Sequence, residues 1–337
     1  MEIDVKIITA ENYVTTLKAA SRPYHNHYYA MYSSMLGGMV TDPALMQLPI
    51  DDHIVHRGDG VFDTFKCVDG AIYNLDAHLQ RLERSATAIG IEWPGGLNEL
   101  RELSIATIRA GAKRNCSGRV MLARGPGGFG VSPFEAPERA LYIIAYQLGQ
   151  PFMKKKPLGA TVRRSHVPTK APPFAGIKNC NYLPNVLMKR EAVEWGIDFV
   201  AGFDNNGFLT EGATENIGIV TRSGELAFPR LENTLAGTSM LRLMELARNS
   251  QTDNANLISV VTLRDITEQE IFDAAELLIV GTTLNVVAAV EYEGAAIGSG
   301  TPGPVWRKLN QMLEDDITEN KELRTVVFSA NEGSKDG

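Results

Sequence analysis

Long apolar runs, a cysteine framework and clustered basic charge are what this 337-residue chain lacks. Nowhere do eighteen apolar residues run together, so no membrane-spanning helix is expected. The first six residues show no basic region leading into an apolar core, which leaves no export signal to read. Only three cysteines occur, Cys67, Cys116 and Cys180, an odd number whose spacing matches neither a disulfide framework nor a zinc site. A reducing, cytoplasmic setting without a metal is therefore expected. The formal charge of −7 argues against a nucleic-acid partner. The short basic runs at 154–156 and 163–164 read as solvated charges rather than a binding arm. No internal repeat and no low-complexity segment is found.

What is present is enough apolar residue, 44% of the chain, to bury a substantial core. The length predicts two domains of mixed α+β character: residues 1–150, then 151–328, with 329–337 as a frayed tail. The stretch 148–158, carrying two prolines and the lysine run, is the expected linker. Helices are predicted over 77–89 with Asp76 as N-cap, 97–112, 183–195, from about 238 to 247, and 304–315. Strands are predicted over 28–34, 119–124, 140–146 and 276–280, with hairpins turning at 205–207 and 223–224. The glycine-rich 125–130 formally fits G-x-G-x-x-G. A proline-punctuated loop follows it where a helix should, so it reads as a loop near a pocket rather than a dinucleotide cradle.

Lys178 is the candidate reactive centre. It stands between apolar residues just before a helix, where Phe174, Ile177 and Leu183 can desolvate its amine and lower its pKa. An amine so placed can attack a carbonyl and form a Schiff base. Thr238 and Ser239, after Gly237 at a helix start, offer hydroxyls and unpaired N–H groups to an anion, and Thr282 after Gly281 adds another. Helix capping is the simpler reading of either motif taken alone. Glu211, at a strand end 33 residues beyond Lys178, could supply a counter-charge to a bound ring nitrogen.

Together these motifs resemble the class IV pyridoxal-phosphate enzymes of fold type IV, which include D-amino-acid aminotransferases, branched-chain aminotransferases and aminodeoxychorismate lyases. The resemblance covers about 29–315. It is carried by the lysine stretch, the Thr210-Glu211-Gly212-x-x-x-Asn216 segment and the Leu235-x-Gly237 cup. It implies a two-domain α+β fold, pyridoxal 5′-phosphate as cofactor, and a homodimer. Lys178 would carry the cofactor as an internal aldimine, with Glu211 on its ring nitrogen and Arg81, Thr238, Ser239 and Thr282 on its phosphate. Tyr182 would reach its phenolic oxygen, although the family's tyrosine usually lies five positions after the lysine and here lies four. The expected activity is ping-pong transfer of an amino group between an amino acid and a 2-oxo acid. The runs at 56–64 and 181–187 resemble plant-type D-amino-acid aminotransferases, which favours D-amino acids. A branched-chain L-amino-acid aminotransferase and a lyase releasing 4-aminobenzoate and pyruvate are the alternatives. The 125–131 loop lacks the Pro-Arg-x-His grip of bacterial D-amino-acid enzymes, so Arg57 or Arg124 is the expected holder of the substrate carboxylate.

Overall fold

A computed structural model describes residues 3, 5–250 and 257–329. Two seven-stranded paths dominate it. The first sheet is antiparallel throughout and combines β1 (Tyr28–Ser33), β2 (Gly38–Val40), β3 (Gly60–Val68), β4 (Ala71–Tyr73), β5 (Cys116–Ala123) and β6 (Ala140–Gln147). Its remaining strand is β15 (Arg324–Val326), which returns from the far end of the chain to pair with β4. The second sheet is mixed, in the order β11 (Val260–Leu263), β10 (Glu225–Phe228), β9 (Asn216–Val220), β12 (Glu276–Gly281), β13 (Asn285–Tyr292), β7 (Ala160–Arg164) and β8 (Phe199–Ala201). The short β14 (Ala295–Ala296) pairs with β13.

Alternation along β3 and β5 sets the layers. Val61, Phe65, Cys67, Val120 and Leu122 point into a core closed by α3 (Leu75–Ala88) and α4 (Gly96–Ala110). Phe62, Thr64, Arg119 and Met121 face the other way and line a cavity. Helices α7 (Thr238–Asn249) and α9 (Pro304–Glu319) cover one face of the second sheet, and Tyr73 of the first sheet joins that core. Helix α6 (Leu183–Glu194) packs on β8 through Met188 and Ala192. Short helices α1 (Ala10–Ala19), α2 (His53–His56), α5 (Phe152–Lys155) and α8 (Glu268–Asp273) complete the order.

One difference from expectation is long-range: residues 324–328, expected in the second domain, join the first sheet as β15 and the first core through Val327 and Phe328. The others are local. The N-cap of α3 is Asn74 in a left-handed conformation, not Asp76, which lies inside the first turn and pairs with Arg101. Helix α9 extends to Glu319 because Leu309, Leu313 and Ile317 keep its apolar stripe in register past 315. The hairpin expected at 198–210 forms in a short, irregular version: Phe203 and Leu209 make a bridge, the Asp204 N–H donates to Phe208 O, and Gly202 exchanges hydrogen bonds with Thr210 and Glu211, while β8 pairs parallel to β7. The expected tail lies, past Ser329, outside the described residues.

Candidate functional site

Lys178 is held by the sheet it does not belong to in sequence. The Phe62 N–H donates to its carbonyl (3.0 Å), and the Cys180 N–H donates to Gly60 O (2.9 Å), clamping the lysine peptide along β3. Its own N–H donates to Ser85 Oγ on α3 (3.2 Å). Pro184 then starts α6, as the sequence anticipates for a first-turn proline. Thus anchored, the side chain brings Nζ to 4.7 Å from the Phe62 ring centroid. Burial, reinforced by the Arg81 charge, brings the ammonium down to about 8, although Asp63 and Glu211 oppose it. At neutral pH a sizeable fraction is then the nucleophilic free amine, against well under one per cent for an ordinary lysine at about 10.4.

The amine opens into a cavity of about 480 Å³ at the junction of the two sheets. Lys178, Tyr182, Arg81, Thr238, Ser239 and Thr282 all line it. Burial pushes the Tyr182 phenol up, so it is a neutral donor at working pH, and its ring meets Phe62 edge-on at 5.2 Å.

Behind this wall is a layer that sequence reasoning missed. Asp63, with no exposed surface, accepts two hydrogen bonds from Arg81 (2.8 Å each) and one from His78 Nδ1 (2.7 Å). Burial alone would raise its carboxyl, but Arg81 and His78 reverse that and hold it far below the usual carboxylate range. Burial lowers the His78 pKa despite Asp63, so the ring is neutral with its Nδ1 proton on Asp63. Nε2 is then free to accept from the Thr238 hydroxyl at 3.4 Å. Arg81 also donates to Ala236 O (3.2 Å). A single carboxylate therefore aims both an arginine and, through histidine, a threonine at the same corner of the cavity. The signal available in sequence was an Asp inside an apolar strand, which needs a buried partner.

Glu211 and Asn216 brace the neighbouring cup. The Leu235 N–H donates to Glu211 Oε2 (3.0 Å), and Asn216 Nδ2 donates to Leu235 O (2.9 Å), so one peptide is gripped from both sides. Gly237 follows as N-cap of α7, where a Cβ would stand 1.8 Å from Asn216 Oδ1. Only glycine lets the backbone come this close, which leaves the first turn of α7 facing the cavity. Burial raises the Glu211 pKa, while the Leu235 hydrogen bond, Lys178 and Lys170 offset it. Glu211 itself is half-buried and outside the direct lining of the cavity.

The two arginines expected to hold a carboxylate are placed elsewhere. Arg124 is buried and chelates Asp59 (2.9 and 3.0 Å) while donating to the carbonyls of Ile89 and Gly90, so it braces a loop outside the cavity. Arg57 is exposed and donates to the carbonyls of His56, Phe129 and Gly130, tying down the glycine-rich loop. The cavity instead contains Arg119, stacked over Phe62 (5.1 Å) and Tyr146 (5.8 Å) and donating to Thr64 Oγ1 (3.3 Å). Among the described residues it has no carboxylate partner, the condition for holding one from a ligand. A charged residue on the non-core phase of an apolar strand was the signal for it.

The sequence model of the class IV amino-transferase family matches residues 60–292. The chloroplastic D-amino-acid transaminase of Arabidopsis thaliana is 36% identical over 86% of this chain and 77% of its own length. A putative branched-chain-amino-acid aminotransferase of Methanocaldococcus jannaschii is 28% identical over 84% of this chain and 96% of its own. Among solved structures, the branched-chain amino acid aminotransferase of Escherichia coli superposes with a TM-score of 0.81 at 22% identity, covering 89% of this chain and all of that one. The T.th. branched-chain enzyme, crystallised with N-(5′-phosphopyridoxyl)-L-glutamate, gives 0.80 at 23%, covering 89% and 99%. The two-sheet α+β architecture is thus that of the fold type IV aminotransferases. With a family match over more than half its length, the chain belongs to the class IV aminotransferases.

Proposed function

We propose that this aminotransferase acts preferentially on D-amino acids and 2-oxo acids by a ping-pong mechanism. The observation that carries the D preference is the 36% identity to a D-amino-acid transaminase over most of both chains. Branched-chain L-amino acids are the second reading, supported by the names of other relatives.

The residues present fit pyridoxal phosphate. Arg81, the Thr238 N–H, Ser239 and Thr282 line one cavity, at the start of a twelve-residue helix, and together suit a dianion. Lys178 supplies an amine of lowered pKa for the aldehyde, and Glu211 would hold the ring nitrogen. When bound, the cofactor supplies the carbonyl that takes the amino group and a ring that accepts the electron pair left as the α-proton departs. Lys178, with the lowered pKa of its amine, would take up the substrate's α-proton and hold it at Nζ for return. Arg119 receives the α-carboxylate, and Tyr182 with Phe62 forms the apolar wall that excludes water.

A panel of D- and L-amino acids with separate 2-oxo acids tests this reading. Amino transfer from D-alanine or D-aspartate faster than from L-leucine is expected, with product forming only when a 2-oxo acid is present. A faster L-branched-chain reaction would replace the D assignment. In the same panel, Arg119→Ala is expected to raise KM about tenfold for every acceptor, as loss of a charge-assisted carboxylate contact does. An unchanged KM would remove Arg119 from the site.

A homodimer is supported by the apolar residues that the single chain leaves outside: Phe129, Val131 and Phe134 are 63%, 84% and 94% exposed on one loop. Phe134→Asp is expected to shift the sedimenting mass from twice 36.8 kDa toward the monomer. A wild-type chain that sediments as a monomer would refute this. A reducing compartment is supported by the three free thiols. No helix among the described residues is long and apolar enough to cross a membrane. A fluorescent fusion concentrating in an organelle would displace the cytoplasmic assignment.

A further inference from the structure

Lys66 is a buried cation that no step above uses. It stands on β3 two positions beyond Thr64, on the side that Phe62 and Thr64 turn toward the cavity, and it is only 6% exposed. Among the described residues it makes no ion pair, and its ammonium donates one hydrogen bond, to Asn285 Oδ1 in the second sheet. Burial brings its pKa down to about 8, against the opposing Glu314 charge on α9. A cation this deep costs more than a neutral donor would, so a plain tie between two sheets does not call for one.

The acceptor stands where a charge has use. Asn285 closes the turn between β12 and β13: it pairs with Gly281 across the ladder, and the Leu284 N–H donates to Gly281 O (3.2 Å). Its own backbone is left-handed, with a φ of 61°, a conformation that asparagine adopts more readily than most residues. The three residues spanned by the turn, Thr282, Thr283 and Leu284, all line the cavity. Helix α9 secures the next residue, with Trp306 Nε1 donating to Val286 O (2.9 Å). Arg81, the other cation assigned to the dianion, is already balanced by Asp63, whereas the Lys66 charge is not paired.

We propose that Lys66 is a positioning residue for the cofactor: through Asn285 it sets the turn at 281–285 so that Thr282 meets the phosphate, and its charge adds to the field at that dianion. This rests on the assignment of Thr282 to the phosphate made above.

The test titrates the cofactor-free protein by equilibrium dialysis with pyridoxal 5′-phosphate and with pyridoxal, which differ only in the phosphate. Lys66→Met is expected to lower the preference for the phosphorylated ligand about tenfold and to leave pyridoxal nearly unchanged. Lys66→Arg, which keeps the charge, should recover most of that loss. Asn285→Gly keeps the left-handed backbone and removes the acceptor, so it should show part of the same loss. The double variant should lose no more than Lys66→Met alone, because one contact has been cut twice. Equal weakening of both ligands marks a general disturbance of the fold and overturns the proposal, as does an unchanged preference in Lys66→Met. Thr282→Ala separates the two readings. If it lowers the preference and Lys66→Met does not, the role of Lys66 alone fails; if it leaves the preference intact, the assignment of Thr282 fails and the proposal with it.

Discussion

Lys178→Ala is expected to lower kcat by about 10⁴-fold or more, because in the proposed function one side chain serves both as the cofactor's covalent anchor and as the proton carrier. The visible absorbance that reports covalent attachment should disappear from the purified variant. The clamp on β3 uses only backbone atoms of residues 178 and 180, so the variant should keep its fold and its melting temperature. This separates loss of chemistry from loss of structure. The lowered lysine pKa adds a pH signature. Only the neutral amine attacks an aldehyde, and it predominates above about 8, so capture of pyridoxal phosphate by the cofactor-free protein should accelerate with pH and level off beyond that point. A Lys178→Ala protein that retains absorbance and turnover would remove the lysine from the centre of the site.

Asp63→Asn is the second large effect, and it acts on the fold as well as the site. The substitution leaves the Arg81 guanidinium buried with its counter-charge gone, a situation that typically costs about 3–5 kcal/mol. The Asp63 oxygens accept from Arg81 at two points and from His78 at a third, so the loss spreads along the whole relay. Asparagine can accept only through one oxygen, and its N–H₂ would face an arginine donor. Urea unfolding of the cofactor-free protein should show the destabilisation. Equilibrium dialysis should show pyridoxal phosphate held more weakly, since Arg81 and Thr238 both lose their aim. An unfolding free energy within about 0.5 kcal/mol of wild type, as for an ordinary surface change, would refute the relay.

Much of the site was legible because its motifs are local. Lys178 before a proline-started helix, Gly237-Thr238-Ser239 at a helix N-terminus and Gly281-Thr282 at a strand end each carry their chemistry within a few residues. The arginine expected to hold the substrate carboxylate was not legible. What decides an arginine's role is the carboxylate it meets, and Arg124 meets Asp59 65 positions away. Arg119, by contrast, was hidden by meeting none. The choice of Asn74 over Asp76 as cap also turned on something non-local: the Asn74 N–H donates to Leu323 O (2.7 Å), fixing the backbone there before any side-chain preference acts. Strand β13 was missed although its Asn-Val-Val-Ala-Ala-Val run is plainly apolar, since such a run does not by itself tell strand from buried helix.

The route of the chain bears on how substrate gets in. The polypeptide leaves the first sheet after β6, builds the second, and comes back as β15 to bond with β4, where Gly70 O receives the N–H groups of Val327 and Phe328. The lysine peptide is meanwhile sewn to β3. Two separate seams thus tie the later part of the chain to the first sheet, one at β3 and one at β4. Swinging the two sheets apart would break the hydrogen bonds of one seam or the other, a backbone cost that the fold sets against a wide opening of the cavity.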